Sequence, residues 1–164
     1  MNIRLVDVRG PDWSLINRWL KAEHVRRWWG DPGEILVQLG RLPAESRLAV
    51  IEADGRKVGL VLWGHPPATE LDEAGLHDVS PDAIDIDIMI GEQDMVGRGV
   101  GTAAIRLVVE EALADPTVPY LIAVPMMDNI ASIGAFSKAG FSVDRRFDDP
   151  VCGRCVLLVR RRDS

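Results

Sequence analysis

The sequence predicts an α/β domain of the mixed, α+β kind, one sheet with antiparallel and parallel strands and helices packed on it. Three observations carry this. Asp54-Gly55 separates two apolar runs and reads as a hairpin turn, which makes the amino half antiparallel. Strand, glycine turn and helix signals follow one another over residues 84–113, and a strand and helix again over 120–138, the order of parallel crossovers. Apolar residues are 47% and charged residues 27% of a 164-residue chain, enough for one buried core, so residues 1–164 are read as a single domain.

Ile3 to Val8 reads as the first strand. Pro11 and Asp12 suit a helix start, and Trp13, Ile16 and Leu20 recur at helical spacing before a second short helical stretch, His24 to Trp29. Gly30, Asp31, Pro32 and Gly33 break the chain, and Ile35 to Leu42 is expected to be a further helix. Leu48 to Glu52 and Val58 to Trp63 are the hairpin strands, and residues 64–80 are expected to be an acidic loop. After the strand Ile84 to Ile90, the residues Val100, Ile105, Val108, Val109, Ala112 and Leu113 make one apolar helical face. Tyr120 to Val124 is a strand, Asp128 or Asn129 caps a helix running to Lys138, and Gly140 stops it. Phe141 to Val143 and Val151 to Val159 finish as strands, paired around Asp148 to Pro150.

Composition narrows the function. The net charge of −6 argues against a nucleic-acid partner. No segment reaches the roughly twenty apolar residues of a membrane span, and the amino end lacks an apolar signal core, so a cytoplasmic protein is expected. Cys152 and Cys155 form one C-x-x-C without the second pair or the histidines of a zinc site; no metal is expected, and both are read as structural thiols. From Val58 to Gly97 there is no Lys or Arg, yet Glu70, Asp72, Glu73, Asp78, Asp82, Asp85, Asp87, Glu92 and Asp94 all lie there. Such a field attracts a cationic small molecule, although charge runs are more often solvated faces.

Inside that stretch IDIDIMIGEQDMVGRGVGT (Ile84 to Thr102) carries the chemistry. Period-two alternation puts Asp85, Asp87 and Met89 on one strand face and four isoleucines on the other. Gly97, Gly99 and Gly101 let the backbone turn sharply and approach a ligand, and the following helix offers free N–H groups at its positive end, together an anion cradle. The spacing is neither the dinucleotide fingerprint nor a Walker loop.

These residues resemble the GNAT superfamily of acyl-CoA-dependent N-acetyltransferases. VGRGVGT (Val96 to Thr102) is similar to its Q/R-x-x-G-x-G/A pyrophosphate loop, and DNIASIGAFSKAGF (Asp128 to Phe141) to its later N-x-x-A…Y-x-K-x-G-F helix beside the pantetheine arm. The resemblance implies a mainly antiparallel sheet of about seven strands flanked by helices, acetyl-CoA as cosubstrate, and an amine acceptor. It implies cofactor contacts by Met89, Ile90, Val96, Gly97, Arg98, Gly99, Val100, Gly101, Thr102, Asn129, Ser132, Phe136 and Lys138.

WLKAEHVRRWWGD (Trp19 to Asp31) further resembles the aminoglycoside 6'-N-acetyltransferases, enzymes of antibiotic resistance. That likeness implies an acceptor pocket lined by Trp28 and Trp29, with Asp87 serving the reacting amine and Asp85 beside it on the same face. Three departures stand out: Val96 where most relatives have Gln or Arg, Phe136 where many have the Tyr that protonates the departing thiolate, and Val124 where aminoglycoside enzymes carry a second acid. His24 is read as a packing histidine. A cationic amine is the expected partner and a homodimer is compatible with the family. The alternatives are acylation of a siderophore-type hydroxylamine, a polyamine or a protein amino terminus, or a non-catalytic CoA-binding module, for which the absent tyrosine is the only support.

Overall fold

A computed structural model describes residues 1–163. Its strands are β1 (Ile3–Asp7), β2 (Arg47–Ala53), β3 (Arg56–Gly64), β4 (Ile84–Ile90), β5 (Tyr120–Ala123), β6 (Ser142–Asp149) and β7 (Gly153–Arg161). They form one seven-stranded sheet in the order β1-β2-β3-β4-β5-β7-β6. Only the β4–β5 pair is parallel. The expected mixed and mainly antiparallel sheet is therefore present. Asp54 (φ 50°) and Gly55 (φ 84°) both take positive φ, the backbone a two-residue hairpin of this kind requires.

The helices are α1 (Asp12–Lys21), α2 (Glu23–Trp29), α3 (Pro32–Leu39), α4 (Ala68–Glu73), α5 (Val100–Leu113) and α6 (Ile130–Lys138). The α3 helix begins three residues earlier than the apolar pattern indicates, because Asp31 caps it through Glu34 N at 2.9 Å with Pro32 at its first position. It ends at Leu39 rather than Leu42. Asn129, not Asp128, caps α6, its side chain accepting from Ser132 N at 3.2 Å.

Residues 64–80 are not all loop: α4 lies inside them. A six-residue helix with one apolar anchor has no period to read, and Leu71 supplies that anchor by packing in a cluster with Ile122, Leu157 and Val159.

The two sheet faces bury separate clusters. The isoleucines Ile84 and Ile86 face α5 and α6 with Ile105, Val108 and Phe136. Met89 faces the other way, with Ile16, Trp19 and Leu20 of α1 and Val25 of α2. The alternation along β4 thus sorts its side chains as the sequence indicates. Among the described residues no helix is long and apolar enough to cross a membrane.

The feature that creates the site is a fork in the sheet. The β4–β5 pairing consists of Ile84 with Leu121 and Asp85 with Ile122, and then stops. Beyond it β4 stays with β3 as far as Ile90, whereas the chain after β5 stays with β7 through Val156 N to Pro125 O (3.0 Å) and a Met126–Cys155 bridge. Pro125, three residues beyond the last pair, has no N–H with which to resume the ladder to β4.

Candidate active site

The fork encloses a cavity of about 280 Å³. Ile86, Asp87 and Ile88 line it from β4, and Val124, Pro125 and Met126 from the opposite arm. Trp28 and Trp29 of α2 and Ile35, Gln38 and Leu39 of α3 wall it on one sheet face; Asn129, Ser132 and Phe136 of α6 line it from the other. Two molecules entering from opposite faces would meet at Asp87, since only the open fork separates them. Both tryptophans expected at a pocket are there, Trp28 with the Arg27 guanidinium over its ring at 4.7 Å.

Asp87 lines this cavity and is reached by solvent. Loss of water, and then the charge of Glu70, push its carboxyl up to about 6. Asp85 lies deeper on the same face. Burial, Asp87 and Glu70 raise it well above the usual carboxylate range, and one of its carboxylate oxygens is buried with no hydrogen-bond donor. The acidic stretch therefore divides. Asp78 is paired with Arg145, Asp94 with Arg56 and Glu92 with Arg18, which makes those three the solvated, neutralised part of the run. Among the described residues Asp85, Asp87 and Glu70 have no basic partner.

At the head of α5, Gly97 (φ 76°) and Gly99 (φ 83°) take left-handed backbone with open space where a Cβ would stand. The first amide of the helix with a main-chain acceptor is that of Ala103, bonded to Gly99 O at 3.1 Å, which leaves the preceding N–H groups free for an anion. This fits a pyrophosphate. At Gly101 a Cβ would meet Ala135 at 3.7 Å, an ordinary contact, so the packing of α5 on α6 does not itself require glycine there. Gly99→Val is expected to lower CoA affinity in calorimetric titration, because a β-branched residue resists this φ and its side chain projects into the cradle. Unchanged affinity in the folded variant would remove the cradle from the account.

The remaining expected cofactor residues fall in three groups. Val96, Arg98 and Val100 belong to the loop and its helix start, with Val96 and Arg98 exposed and Val100 buried, and Thr102 Oγ1 donates to Ala135 O at 3.5 Å. Met89 is buried beneath α1, and neither it nor Ile90 lines the cavity; Ile90 O accepts from His24 Nε2 at 2.9 Å. Lys138 is not brought to the cavity; it lies with Arg106 and Arg160 at the far end of α6.

Phe136 is 2% exposed and packs edge-on against Phe141 at 5.0 Å. A phenyl ring has no proton to give, so Phe136→Leu is expected to keep turnover within about tenfold, or about 1.4 kcal/mol of barrier. A thousandfold loss with CoA binding intact would assign the ring a chemical task.

Glu70, the α3 wall and Cys152 were not singled out as site residues. Nothing distinguishes Glu70 within its acidic run, and the apolar face of α3 reads as core. Cys152 lines the cavity although it lies outside both motifs. It and Cys155 are free thiols; burial pushes Cys152 up and Cys155 to about 11, so neither is a thiolate nucleophile near neutral pH.

Comparison with known proteins places this arrangement. A family model described as "Acetyltransferase (GNAT) domain" matches residues 9–149. The aminoglycoside N(6')-acetyltransferase type 1 of Klebsiella pneumoniae is 26% identical over 162 residues, covering 93% of this chain and 80% of that protein. A kanamycin resistance protein of Rhizobium radiobacter is 29% identical over 87 residues, covering 53% of this chain and 80% of that one. The structure of the aminoglycoside acetyltransferase AAC(6')-Ib with coenzyme A and kanamycin superposes with a TM-score of 0.83 at 23% identity, over 98% of this chain and 95% of that one.

Proposed function

The chain belongs to the acetyltransferase (GNAT) family and is an acetyl-CoA-dependent N-acetyltransferase, and from that premise we propose that it acetylates a primary amine of a cationic amino sugar of the aminoglycoside type. The observation that carries the proposal is Asp87, an unpaired carboxylate at the open fork, beside two tryptophans and on the side of the sheet away from the cradle. The likeness to aminoglycoside acetyltransferases and to a kanamycin resistance protein supports the same acceptor class.

Each part has a task in the reaction. Free amides at the head of α5 hold the pyrophosphate, while Asn129, Ser132 and Phe136 shape the passage to the fork. Asp87 attracts the ammonium and takes its proton directly or through a water, which frees the nitrogen lone pair to attack the thioester carbonyl. The edge of β4 beyond Asp85 has no strand partner, so its N–H groups are available to the carbonyl oxygen as charge develops there. The carbon–nitrogen bond forms, the carbon–sulfur bond breaks, CoA leaves as the thiolate, and the proton that the nitrogen sheds on becoming an amide passes to that thiolate or to water. Transfer is direct, since Cys152, though at the cavity, is held as a thiol. We place the reaction in the cytoplasm, where both cysteines stay reduced.

Acetyl-CoA turnover with a panel of amines tests the reading. Kanamycin is expected to outperform a polyamine, a peptide amino terminus and a hydroxylamine. Preference for one of the last three would redirect the acceptor assignment, and CoA binding without turnover of any would favour a binding module.

A further inference from the structure

Beyond Asp85 the strand β4 has no partner on its fork side, and its pairing with β3 decides which main-chain groups stand on that open edge. Gly91 N bonds to Val58 O at 2.8 Å, which puts Gly91 and Val58 in the hydrogen-bonded class of the antiparallel ladder. The classes alternate. Ile90 opposite Gly59 and Ile88 opposite Val61 are therefore non-bonded pairs, and their N–H and C=O groups turn away from β3. Met89 O turns the other way, standing where a Cβ on Gly59 would meet it. One group of the open edge is already taken, since Ile90 O accepts from His24 Nε2 at 2.9 Å. A carbonyl only accepts, so Nε2 carries the hydrogen, as in the Nε2–H tautomer or the imidazolium. His24 belongs to α2, the helix that bears Trp28 and Trp29, and reaches the edge from the sheet face on which Val25 and Trp29 pack. The bond thus joins the wall of the acceptor cavity to the strand edge that faces the acyl donor. It leaves the Ile88 N–H, the Ile88 C=O and the Ile90 N–H open.

We propose that His24 is a positioning residue for acyl transfer: by holding the Ile90 carbonyl it fixes the open edge of β4 against α2. The N–H groups that polarise the thioester carbonyl and the tryptophan wall that places the amine are then held at one separation. The inference rests on the acetyltransferase reading of the same cavity and gives His24 a task that filling space does not. His24 touches neither the reacting nitrogen nor the thioester; it acts through the Ile90 peptide. Misplacement of a reacting group by a fraction of a bond length lowers the rate of the bound complex more than its formation, so the effect belongs in kcat.

The test compares His24→Ala, His24→Gln and His24→Asn with the best amine of the panel. A glutamine amide nitrogen stands where Nε2 does, whereas that of an asparagine falls short of it. His24→Ala is expected to lower kcat by about tenfold to a hundredfold, with KM for either substrate little changed. His24→Gln should recover most of the rate and His24→Asn little of it. Infrared spectra of bound acetyl-CoA, isotope-labelled at the thioester carbonyl, read the edge without turnover. In the wild type the carbonyl band is expected below its frequency in water; in His24→Ala it should move back and broaden, and in His24→Gln stay. Wild-type kcat and an unmoved band in His24→Ala overturn the proposal, as does a folded His24→Gln no better than His24→Asn. If His24→Ala does not fold, that last comparison decides alone. A wild type that acetylates no amine overturns the acetyltransferase reading instead, and the infrared comparison then still tells whether His24 sets the edge.

Discussion

Asp87→Asn is expected to lower kcat/KM for an amine acceptor by about a hundred- to ten-thousandfold, the range of a positioned general base, while CoA affinity stays nearly unchanged. The substitution keeps size and one acceptor atom but removes the charge that draws in an ammonium and the basicity that takes its proton. Asp87 is the carboxylate at the fork itself, whereas Asp85 is one strand repeat deeper and has a buried oxygen. Asp85→Asn is therefore expected to have the smaller effect. The pH profile supplies a second reading of the same residue. Partial loss of water at the cavity and then Glu70 raise Asp87 to about 6, so below that pH the free enzyme carries it protonated, able neither to attract the cation nor to act as base. The wild-type kcat/KM is expected to fall as pH drops through about 6, and Asp87→Asn to lack that limb. If Asp87→Asn runs at the wild-type rate and Asp85→Asn does not, the deeper carboxylate is the base; if neither changes, the acidic face plays no part in turnover.

Trp19→Ala is expected to destabilise the fold by about 3–5 kcal/mol, the range for deleting a large buried aromatic. Trp19 is 1% exposed and lies between α1 and the end of β4. Its ring occupies the space in which a Cβ on Gly91 would stand, at 2.1 Å from the nearest ring atom. Gly91→Ala is accordingly expected to cost about 1–3 kcal/mol through overpacking. In the Trp19→Ala background the same change should cost much less, because the ring it collides with is gone. A double-mutant cycle in urea measures this coupling, and additive effects would show that the contact between residue 91 and the indole does not limit packing. The site depends on this contact, since Gly91 directly follows the strand that carries Asp87 and leads towards the glycine loop.

Much of the frame was legible because it rests on local rules. Asp54-Gly55 encodes its turn in two residues, the Ile84–Ile90 alternation separates two cores, and residue type narrows the cap of α6 to Asp128 or Asn129, of which the fold uses Asn129. What local rules cannot show is where pairing stops. After Asp85 and Ile122 the arm beyond β5 follows β7 and leaves β4, a separation between distant segments that no periodicity reports. The same limit hid the α4 helix, anchored by Leu71 alone, and placed Cys152 outside the site when its hairpin brings it to the cavity wall.

The central claim is that the acetyl group passes from CoA directly to an amine held at Asp87. A single-turnover experiment measures this directly: protein in excess over acetyl-CoA, with kanamycin present, followed by thiol release and by mass spectrometry of both protein and antibiotic. The account predicts one N-acetylated kanamycin for each CoA thiol released, with the protein unmodified throughout. Thiol release with acetyl retained on Cys152, or with free acetate and unmodified kanamycin as the products, would contradict it.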